Sequence, residues 1–571
     1  MSRIESLPSK SVNQYRSRDI FAYLCLRYCI ESSSSQTNEW AEQNAAQIVA
    51  AKLDGLYLQT HHFKQLDKNG VAEHRQLFIP GASEALAEAA LLARCAPIWE
   101  ELRSTKVFSY HPTGQDNKRS YFDSYMVDLR RRQQEILQEC QKISEGVVAY
   151  VDIKSFYPSL SLNIAENYWK EFCFKGSIDD HYAQIGHSLI RRYREVSPTG
   201  GLLVGPMFSH FLANLVMSRI DSESDYPQVS YFRYVDDITL VGPSAAVRDA
   251  IDQTSRKLGE LGLAMHPYDS PKTIVVPVQE WADSASDFGH ADHSLAWMRL
   301  VGDIKKLILT DAKIAKRIEK DLAAEGFRLP IPDYAVAVKE ASSFEKVRQL
   351  GLWAWLKVQI GRVSINTVIQ DGRSLANRLT AETLNLLRHE ADGNVFQRKR
   401  VVTKLRYRLG RLVYLATMTQ LEEVADAAAG WPELAFHRSM IQAVISGDCS
   451  PVVALGTNVA QATAQIFRAN QSTARFSRPI VTPVEIQGLA VFILNGVPVE
   501  ADVQALDDPT LIFAKGPIDI DLMRQPHGLL QELACLHGVG PVRHAEILRS
   551  AFDVSEMIML DALEFDYAYS F

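Results

Sequence analysis

Two adjacent aspartates, Asp236 and Asp237, lie in the middle of an apolar run from Phe232 to Val241 that is rich in β-branched and aromatic residues. Strand-forming residues flank the pair and Gly242-Pro243 ends the run, which predicts a β-hairpin with the acids at its tip. A carboxylate removed from water is destabilising unless another charge compensates it, and a divalent metal ion would supply that charge. The alternative interpretation is an acidic turn that is simply solvated.

A third acid, Asp152, follows a buried-strand pattern from Val147 to Val151. Phe156 and Tyr157 come shortly after it, and Pro158 ends any regular element there. This upstream acid gives the Asp-Asp pair a partner. It therefore favours a metal site over a solvated turn.

The elements that must position these acids are predicted from residue spacing. A glycine-rich loop from Gly200 to Gly205 leads directly into a helix that carries Ser209 and Asn214. Such a loop lets backbone approach a ligand, and a helix start presents free N–H groups. Helical spacing predicts further helices over Ala82 to Leu102, Tyr121 to Ser144, Leu162 to Phe174, His181 to Glu195 and Ala245 to Gly262. Strand composition marks 274–278, 480–494 and 511–513.

The bulk composition is that of an ordinary globular protein. The chain has 571 residues, of which 47% are hydrophobic and 23% charged, enough for several domains. The net charge of −7 argues against a uniformly basic nucleic-acid-binding surface, so local clusters must decide that question. Seven cysteines with no Cys-x-x-Cys pair fit a reducing compartment. Without an apolar leader or a run of ~20 apolar residues, we expect a cytoplasmic protein with no membrane contact.

Composition shifts along the chain predict an α+β protein with five parts. These are an N-terminal helical region at 1–105, a core at 106–294, a basic helical region at 295–375, a helical basic extension at 376–475, and a C-terminal α/β subdomain with an acidic tail at 476–571.

Taken together, the motifs resemble the palm of reverse transcriptases. An acid after the first strand, a glycine loop leading to a helix, and an acidic hairpin occur in that family's order. The matching segments are Asp152 with Phe156-Tyr157, Gly201 to Gly205 with Ser209, Ala213 and Asn214, Tyr234-Val235-Asp236-Asp237, and Leu261-Gly262-Leu263 followed by Lys272-Thr273.

This resemblance implies a right-hand polymerase fold of fingers, palm and thumb, with an N-terminal helical segment and a mainly α-helical C-terminal extension. It implies nucleotidyl transfer from dNTPs at two Mg²⁺ ions, with Mn²⁺ as a substitute, held by Asp152, Asp236 and Asp237. Tyr157 would pack under the sugar and exclude a 2′-hydroxyl. The other residues implied in substrate binding are Phe156, Lys118, Arg119, Arg130, Gly205, Ser209 and Lys272.

Two basic helical patterns predict nucleic-acid contacts, since neutralising phosphates gives a grip that is independent of sequence. The alternative for the first pattern is a solvated helix face, whereas the second concentrates too much positive charge for ordinary surface in a chain of net charge −7. The candidates are Lys305, Lys306 and Lys313 in the first pattern, and Arg398, Lys399, Arg400, Lys404, Arg406 and Arg408 in the second, which runs from Phe396 to Leu412.

The second motif differs from that of most reverse transcriptases, and this difference indicates which members of the family the chain resembles. Most retroviral and intron enzymes have Pro-Gln-Gly in the second motif, whereas this chain has Val204-Gly205-Pro206. That version resembles bacterial reverse transcriptases of the abortive-infection type, which are linked to phage defence. The implied partners are an RNA template or associated RNA, the DNA product, and a second copy of the chain or a defence protein. Synthesis without a template remains open.

Two rival functions remain. One is a retron- or intron-like reverse transcriptase that copies a structured RNA. The other is a nucleic-acid-binding scaffold whose palm is catalytically idle. Near the C-terminus, Tyr567 and Tyr569 are candidate protein primers for DNA synthesis, and the alternative is an ordinary tail that docks on the basic region.

Overall fold

The computed structural model describes residues 57–503, apart from 81, 114–120, 124, 269, 271, 286–291, 333, 336–337, 339–344 and 390–394. The predicted mixture of helix and sheet is confirmed, with helices predominating. Some of the predicted site residues lie outside the described residues: Lys118, Arg119, Tyr567 and Tyr569.

The strands form three small sheets. The strands are β1 (Tyr57–Leu66), β2 (Ala72–Pro80), β3 (Val147–Asp152), β4 (Ser230–Tyr234), β5 (Asp237–Gly242), β6 (Ile274–Pro277), β7 (Ala474–Ile480) and β8 (Val499–Val503). Strands β1 and β2 form an antiparallel hairpin, and β7 pairs with β8 in parallel. The largest sheet is fully antiparallel, in the order β4-β5-β3-β6.

Helices make up most of the remaining described residues. They are α1 (Ala82–Leu102), α2 (Tyr125–Lys142), α3 (Phe156–Ser159), α4 (Leu162–Lys175), α5 (Asp180–Val196), α6 (Met207–Glu223), α7 (Ser244–Glu260), α8 (Val278–Ala285), α9 (Asp292–Thr310), α10 (Ala315–Ala324), α11 (Glu345–Gln359), α12 (Ile365–His389), α13 (Val395–Leu415), α14 (Met418–Ala427), α15 (Ala435–Ser446), α16 (Ser450–Leu455), α17 (Thr457–Ala469) and α18 (Pro483–Leu494). No helix of the described segments is long and apolar enough to cross a membrane.

Both faces of the four-stranded sheet are buried. Successive residues of a strand point to opposite faces. Val148 accordingly packs in one cluster with Phe232 and Trp281, whereas Ala149 packs in another with Leu240. A sheet covered on both sides requires near-continuous apolar strands. Charged residues of these strands are therefore expected at the strand ends, where the acids lie.

A second core lies in the helical half of the chain. It joins buried residues between Leu300 and Ile466. The predicted boundary between 375 and 376 falls inside α12, within this core. The predicted boundary between 475 and 476 also falls within a core, because apolar residues on both sides of it, from Ala443 to Val497, belong to the cluster that covers the sheet.

Residues 57–80, which lie within the predicted N-terminal helical region but in no predicted helix, form the β1–β2 hairpin. One segment differs from its predicted structure. Residues 483–494, predicted from composition as strand, form α18. Pro483 in its first turn and a capping box between Thr482 and Glu485 start this helix, and these local signals outweigh its β-branched composition.

Candidate active site

The three predicted acids meet at one end of the four-stranded sheet. Asp152 ends β3 and is the direct cross-strand partner of Asp237, which begins β5. Tyr234 pairs with Asp237, so Val235 and Asp236 form a two-residue turn between β4 and β5. The predicted hairpin with acids at its tip is therefore confirmed. Val235 has a φ of 58°, the left-handed backbone that such tight turns require.

Buried hydrogen bonds hold this turn in place. The Arg233 Nη1 donates to the Val235 carbonyl at 2.9 Å, and the Val235 N–H donates to the Ser109 hydroxyl at 2.8 Å. These bonds compensate for a β-branched residue in a backbone region that it rarely adopts. The position of Asp236 thus depends on Arg233 and Ser109.

Arg233 is itself fixed by a buried ion pair. Its side chain is fully buried, and it donates to both carboxylate oxygens of Asp221, at 2.8 and 2.7 Å. It also donates to the Asn214 side chain at 3.1 Å. Asn214 in turn donates to the carbonyl of Ser109 at 2.8 Å. One network therefore links α6, the segment at Ser109 and the hairpin.

The three carboxylates lie close enough to one another for their negative charges to interact. Burial, then Asp237 and Asp152, raise the pKa of Asp236 to about 6. Asp237 is exposed at the start of β5. Partial loss of water around its carboxylate nevertheless raises its pKa. Such mutual repulsion favours binding of a cation.

The donor set fits a divalent metal ion. Mg²⁺ prefers oxygen ligands and uses one or two carboxylates, completing its shell with water and substrate phosphate. Among the described residues, no three His, Cys, Asp or Glu side chains already form a metal-binding group. Asp152, Asp236 and Asp237 are the carboxylates that would hold the metal.

Basic side chains surround the acids from several elements. Lys272 Nζ lies 3.3 Å and His266 Nε2 lies 3.5 Å from the same oxygen of Asp152. Arg75 on β2 acts electrostatically on Asp236, and Lys399 on α13 acts on Asp237 and Asp152. Lys272 therefore lies beside the acids, and its contact with substrate stays a prediction.

The three arginines of α2 have different environments. Arg132 is buried beneath the sheet, donates to the Thr239 hydroxyl at 2.5 Å, and acts on Asp237 as an opposite charge. Arg131 lies over the Phe108 ring. Arg130, the predicted substrate ligand, is exposed. The residue of this trio that faces the acids is therefore Arg132.

Tyr157 belongs to an aromatic cluster beside the hairpin. It is 9% exposed, and its hydroxyl shares a 2.5 Å hydrogen bond with His210 Nδ1. The His210 ring stacks on Tyr110 with centroids 4.0 Å apart. Tyr110 has a φ of 53° and its carbonyl accepts a bond from Asn214 at 3.2 Å. The tyrosine ring is thus supported by a chain of contacts.

Three other predicted substrate ligands lie deeper in the fold. Phe156 is 3% and Ser209 0% exposed, so both belong to the core and do not reach the site. Gly205 has a φ of +124°, and a Cβ there would lie 2.4 Å from the Phe78 carbonyl. The glycine therefore allows close approach of strand β2 to the loop.

The start of α6, which follows this loop, is held by a buried acid. Glu88 on α1 accepts hydrogen bonds from the Met207 N–H at 2.7 Å and from the Tyr193 hydroxyl at 2.9 Å. Burial raises the pKa of Glu88 to about 8. Glu88 therefore holds the first turn of α6 in place and gives the Met207 N–H and the Tyr193 hydroxyl a buried acceptor.

Two predicted nucleic-acid contacts are wrong. Lys305 is 0% and Lys306 3% exposed on α9. Lys305 Nζ lies 5.2 Å from the centre of the Tyr334 ring, and Lys306 pairs with Asp303 at 2.9 Å. Both cations are therefore buried on α9, which packs against α11 and α12. Lys313 is exposed, as expected.

The basic pattern of α13 serves mainly intramolecular contacts. Arg398 pairs with Glu433 at 2.6 Å, and Arg406 donates to the carbonyl of the same residue. Arg408 pairs with Glu382 at 2.8 Å. Arg400 lies over the Phe396 ring at 5.7 Å, and Lys404 is half-buried. Of the six predicted residues, Lys399 is the one directed toward the acids.

Sequence reasoning missed Arg75, His210, His266 and Arg132 as parts of the site. Arg132 lies two residues after Arg130, the arginine predicted to bind substrate. Arg75 and His266 carry no local signal, because their significance depends on contacts with residues far away in the chain. His210 directly follows Ser209 of the second motif, and this adjacency is the sequence signal for its place near the site.

No protein-family model matches the chain, and no curated protein matches it.

Proposed function

We propose that this protein is a DNA polymerase of reverse-transcriptase type, with the four-stranded sheet as its palm. The observation that carries the proposal is the pairing of Asp152 with Asp237 across β3 and β5, with Asp236 in the adjoining turn. The β1–β2 hairpin corresponds to part of the fingers, and the helices from α9 onward to a thumb and extension.

The charges of the site fit nucleotidyl transfer from a dNTP. Bound Mg²⁺ would lower the pKa of the attacking 3′-hydroxyl and neutralise the leaving pyrophosphate. Asp152 and Asp236 would be its principal ligands, with Asp237 beside them. Lys272 pairs with Asp152 and Arg75 acts electrostatically on Asp236, so each would be able to bind phosphate oxygens of the nucleotide.

Tyr157 would select deoxyribonucleotides by steric exclusion of the 2′-hydroxyl. We expect Tyr157→Ala to raise ribonucleotide incorporation relative to dNTP incorporation by about 10- to 200-fold, the range for small steric differences. Tyr157→Phe, which keeps the ring but loses the bond to His210, is the matched control and should retain most of the selectivity. The measurement is the ratio of kcat/KM values for each nucleotide pair. An unchanged ratio in Tyr157→Ala would refute this role.

RNA as template, and DNA as product, follow from the same proposal. Purified protein is incubated with Mg²⁺ and dNTPs, with or without prior RNase treatment, and the product is sequenced. Loss of product after RNase supports an RNA template. Persistent product supports synthesis without one, and no product in any arm, including Mn²⁺, counts against the polymerase.

We also propose that the enzyme acts in bacterial antiphage defence, on the basis of the Val204-Gly205-Pro206 motif. Phage plating on bacteria expressing the wild-type chain should be lower than on bacteria expressing Asp152→Asn. Equal plating across a broad phage panel would exclude this role.

A further inference from the structure

The outer edge of strand β1 is bound by side chains from the C-terminal helices. Asn458 on α17 accepts from the Phe63 N–H at 2.9 Å and donates to the Phe63 carbonyl at 3.3 Å. The Thr457 hydroxyl donates to the His61 carbonyl at 3.2 Å, and Gln487 on α18 donates to the Gln59 carbonyl at 2.8 Å. These bonds engage alternate residues of β1, which are those whose backbone groups face away from β2.

The backbone before α17 is shaped for this contact. Gly456 has a φ of +130°, and a Cβ there would lie 2.5 Å from the His61 carbonyl. Only a glycine allows the helix to start so close to the strand. An exposed edge strand in a two-stranded sheet is normally a site of unpaired backbone groups, and here side chains satisfy them.

The other strand of the hairpin contacts the catalytic half of the protein. The Phe78 N–H on β2 donates to the Val204 carbonyl at 2.8 Å, in the loop that precedes α6. Arg75, three residues earlier on the same strand, is exposed and pairs across the hairpin with His62, the neighbour of Phe63. Its charge acts on Asp236. Lys64 on β1 likewise acts on His266, beside Asp152. The hairpin therefore connects the C-terminal helices to the acids.

We propose that Asn458 is a positioning residue for the nucleotide site, because it fixes the β1–β2 hairpin so that Arg75 faces the acids and binds the triphosphate of the incoming nucleotide. This inference rests on the proposed function and assigns a role to the C-terminal extension. Asn458 acts through the backbone of Phe63 and does not touch the substrate itself.

The test compares Asn458→Ala, Arg75→Ala and the double variant in the full-length chain. Asn470→Ala is the matched control, since Asn470 lies at the other end of the same helix and bonds Ser472. The readouts are KM and kcat for dNTP incorporation, and the Kd for a dNTP with Mg²⁺ by titration calorimetry. Thermal melting is followed for every variant.

We expect Asn458→Ala to raise KM and Kd by about tenfold with little change in kcat, and Asn470→Ala to change neither. Because Asn458 acts through Arg75, adding Asn458→Ala to Arg75→Ala should raise KM no further. A purely structural role would lower the melting temperature or kcat without moving KM or Kd, and would overturn the proposal. Independent, multiplying effects of the two substitutions would do the same.

The binding readout separates this inference from the proposed function. Triphosphate binding that weakens in Asn458→Ala, in a protein that incorporates no nucleotide, supports the positioning role and counts against the polymerase alone. Absence of triphosphate binding by the wild-type protein overturns the positioning role.

Discussion

Asp236→Asn should abolish nucleotide incorporation and at the same time make the metal-free protein more stable. The carboxylate of Asp236 is destabilised by burial and by Asp237 and Asp152, which raise its pKa to about 6. An amide of the same shape removes that repulsion and also removes a metal ligand. Asp152→Asn should abolish incorporation in the same way.

The pH dependence of stability has a definite sign. A carboxyl group whose pKa is higher in the folded state stabilises that state below its unfolded pKa, and this contribution is lost as the pH rises through about 6. At pH 8 the ionised Asp236 therefore costs up to about 3 kcal/mol. Asp236→Asn should gain about 1–3 kcal/mol at pH 8 and little at pH 4.

Denaturant unfolding at pH 8 and pH 4 measures this difference. Asp249→Asn on α7 is the matched control, because Asp249 is exposed and distant in sequence from the site. Added Mg²⁺ should raise the melting temperature of the wild-type protein more than that of Asp236→Asn. Retained incorporation in Asp236→Asn would contradict the assignment of this residue as a metal ligand.

Arg233→Met should cause the largest loss of stability among the substitutions considered. The Asp221 side chain is 1% exposed and would lose its opposite charge. Leaving one member of a buried ion pair uncompensated costs about 3–5 kcal/mol. The Val235 carbonyl would lose its bond as well. We therefore expect weak incorporation even under conditions where the variant folds.

The double variant Arg233→Met with Asp221→Leu tests the reason for this loss. It removes both charges, so it should recover part of the unfolding free energy without restoring incorporation. The comparison variant is Arg388→Met, which breaks an exposed pair with Glu423 and should cost about 0–1 kcal/mol. If Arg233→Met unfolds at the same denaturant concentration as Arg388→Met, the buried pair does not hold the hairpin.

Asp236→Asn and Arg233→Met test two different properties of the acidic hairpin, its charge and its rigidity. In the proposed function, Asp236 would supply the charge that binds the metal, and this charge lowers stability. Arg233 belongs to the apolar interior and supplies the rigidity that keeps this charge at the turn. A site that concentrates like charges requires such support, because its own groups repel one another.

Local sequence patterns were sufficient to predict the elements that carry the acidic site. The hairpin at Asp236-Asp237, the strand that ends at Asp152 and the helix after Gly205 were all predicted, because each depends on a local period of apolar residues. Strands buried on both faces leave few positions for an acid except their ends. The acids of separate motifs, Asp152 and Asp237, are therefore cross-strand neighbours in the sheet.

Whether a basic residue faces solvent, the core or the acids depends on long-range packing. Lys305 and Lys399 both belong to basic helical patterns, yet one is buried beside Tyr334 and the other is directed toward Asp237. The local spacing of residues predicts that a helix has a polar face, but it does not determine which element packs against that face. The contacts of Asn458 with Phe63 join residues 395 positions apart, so no local pattern could reveal them.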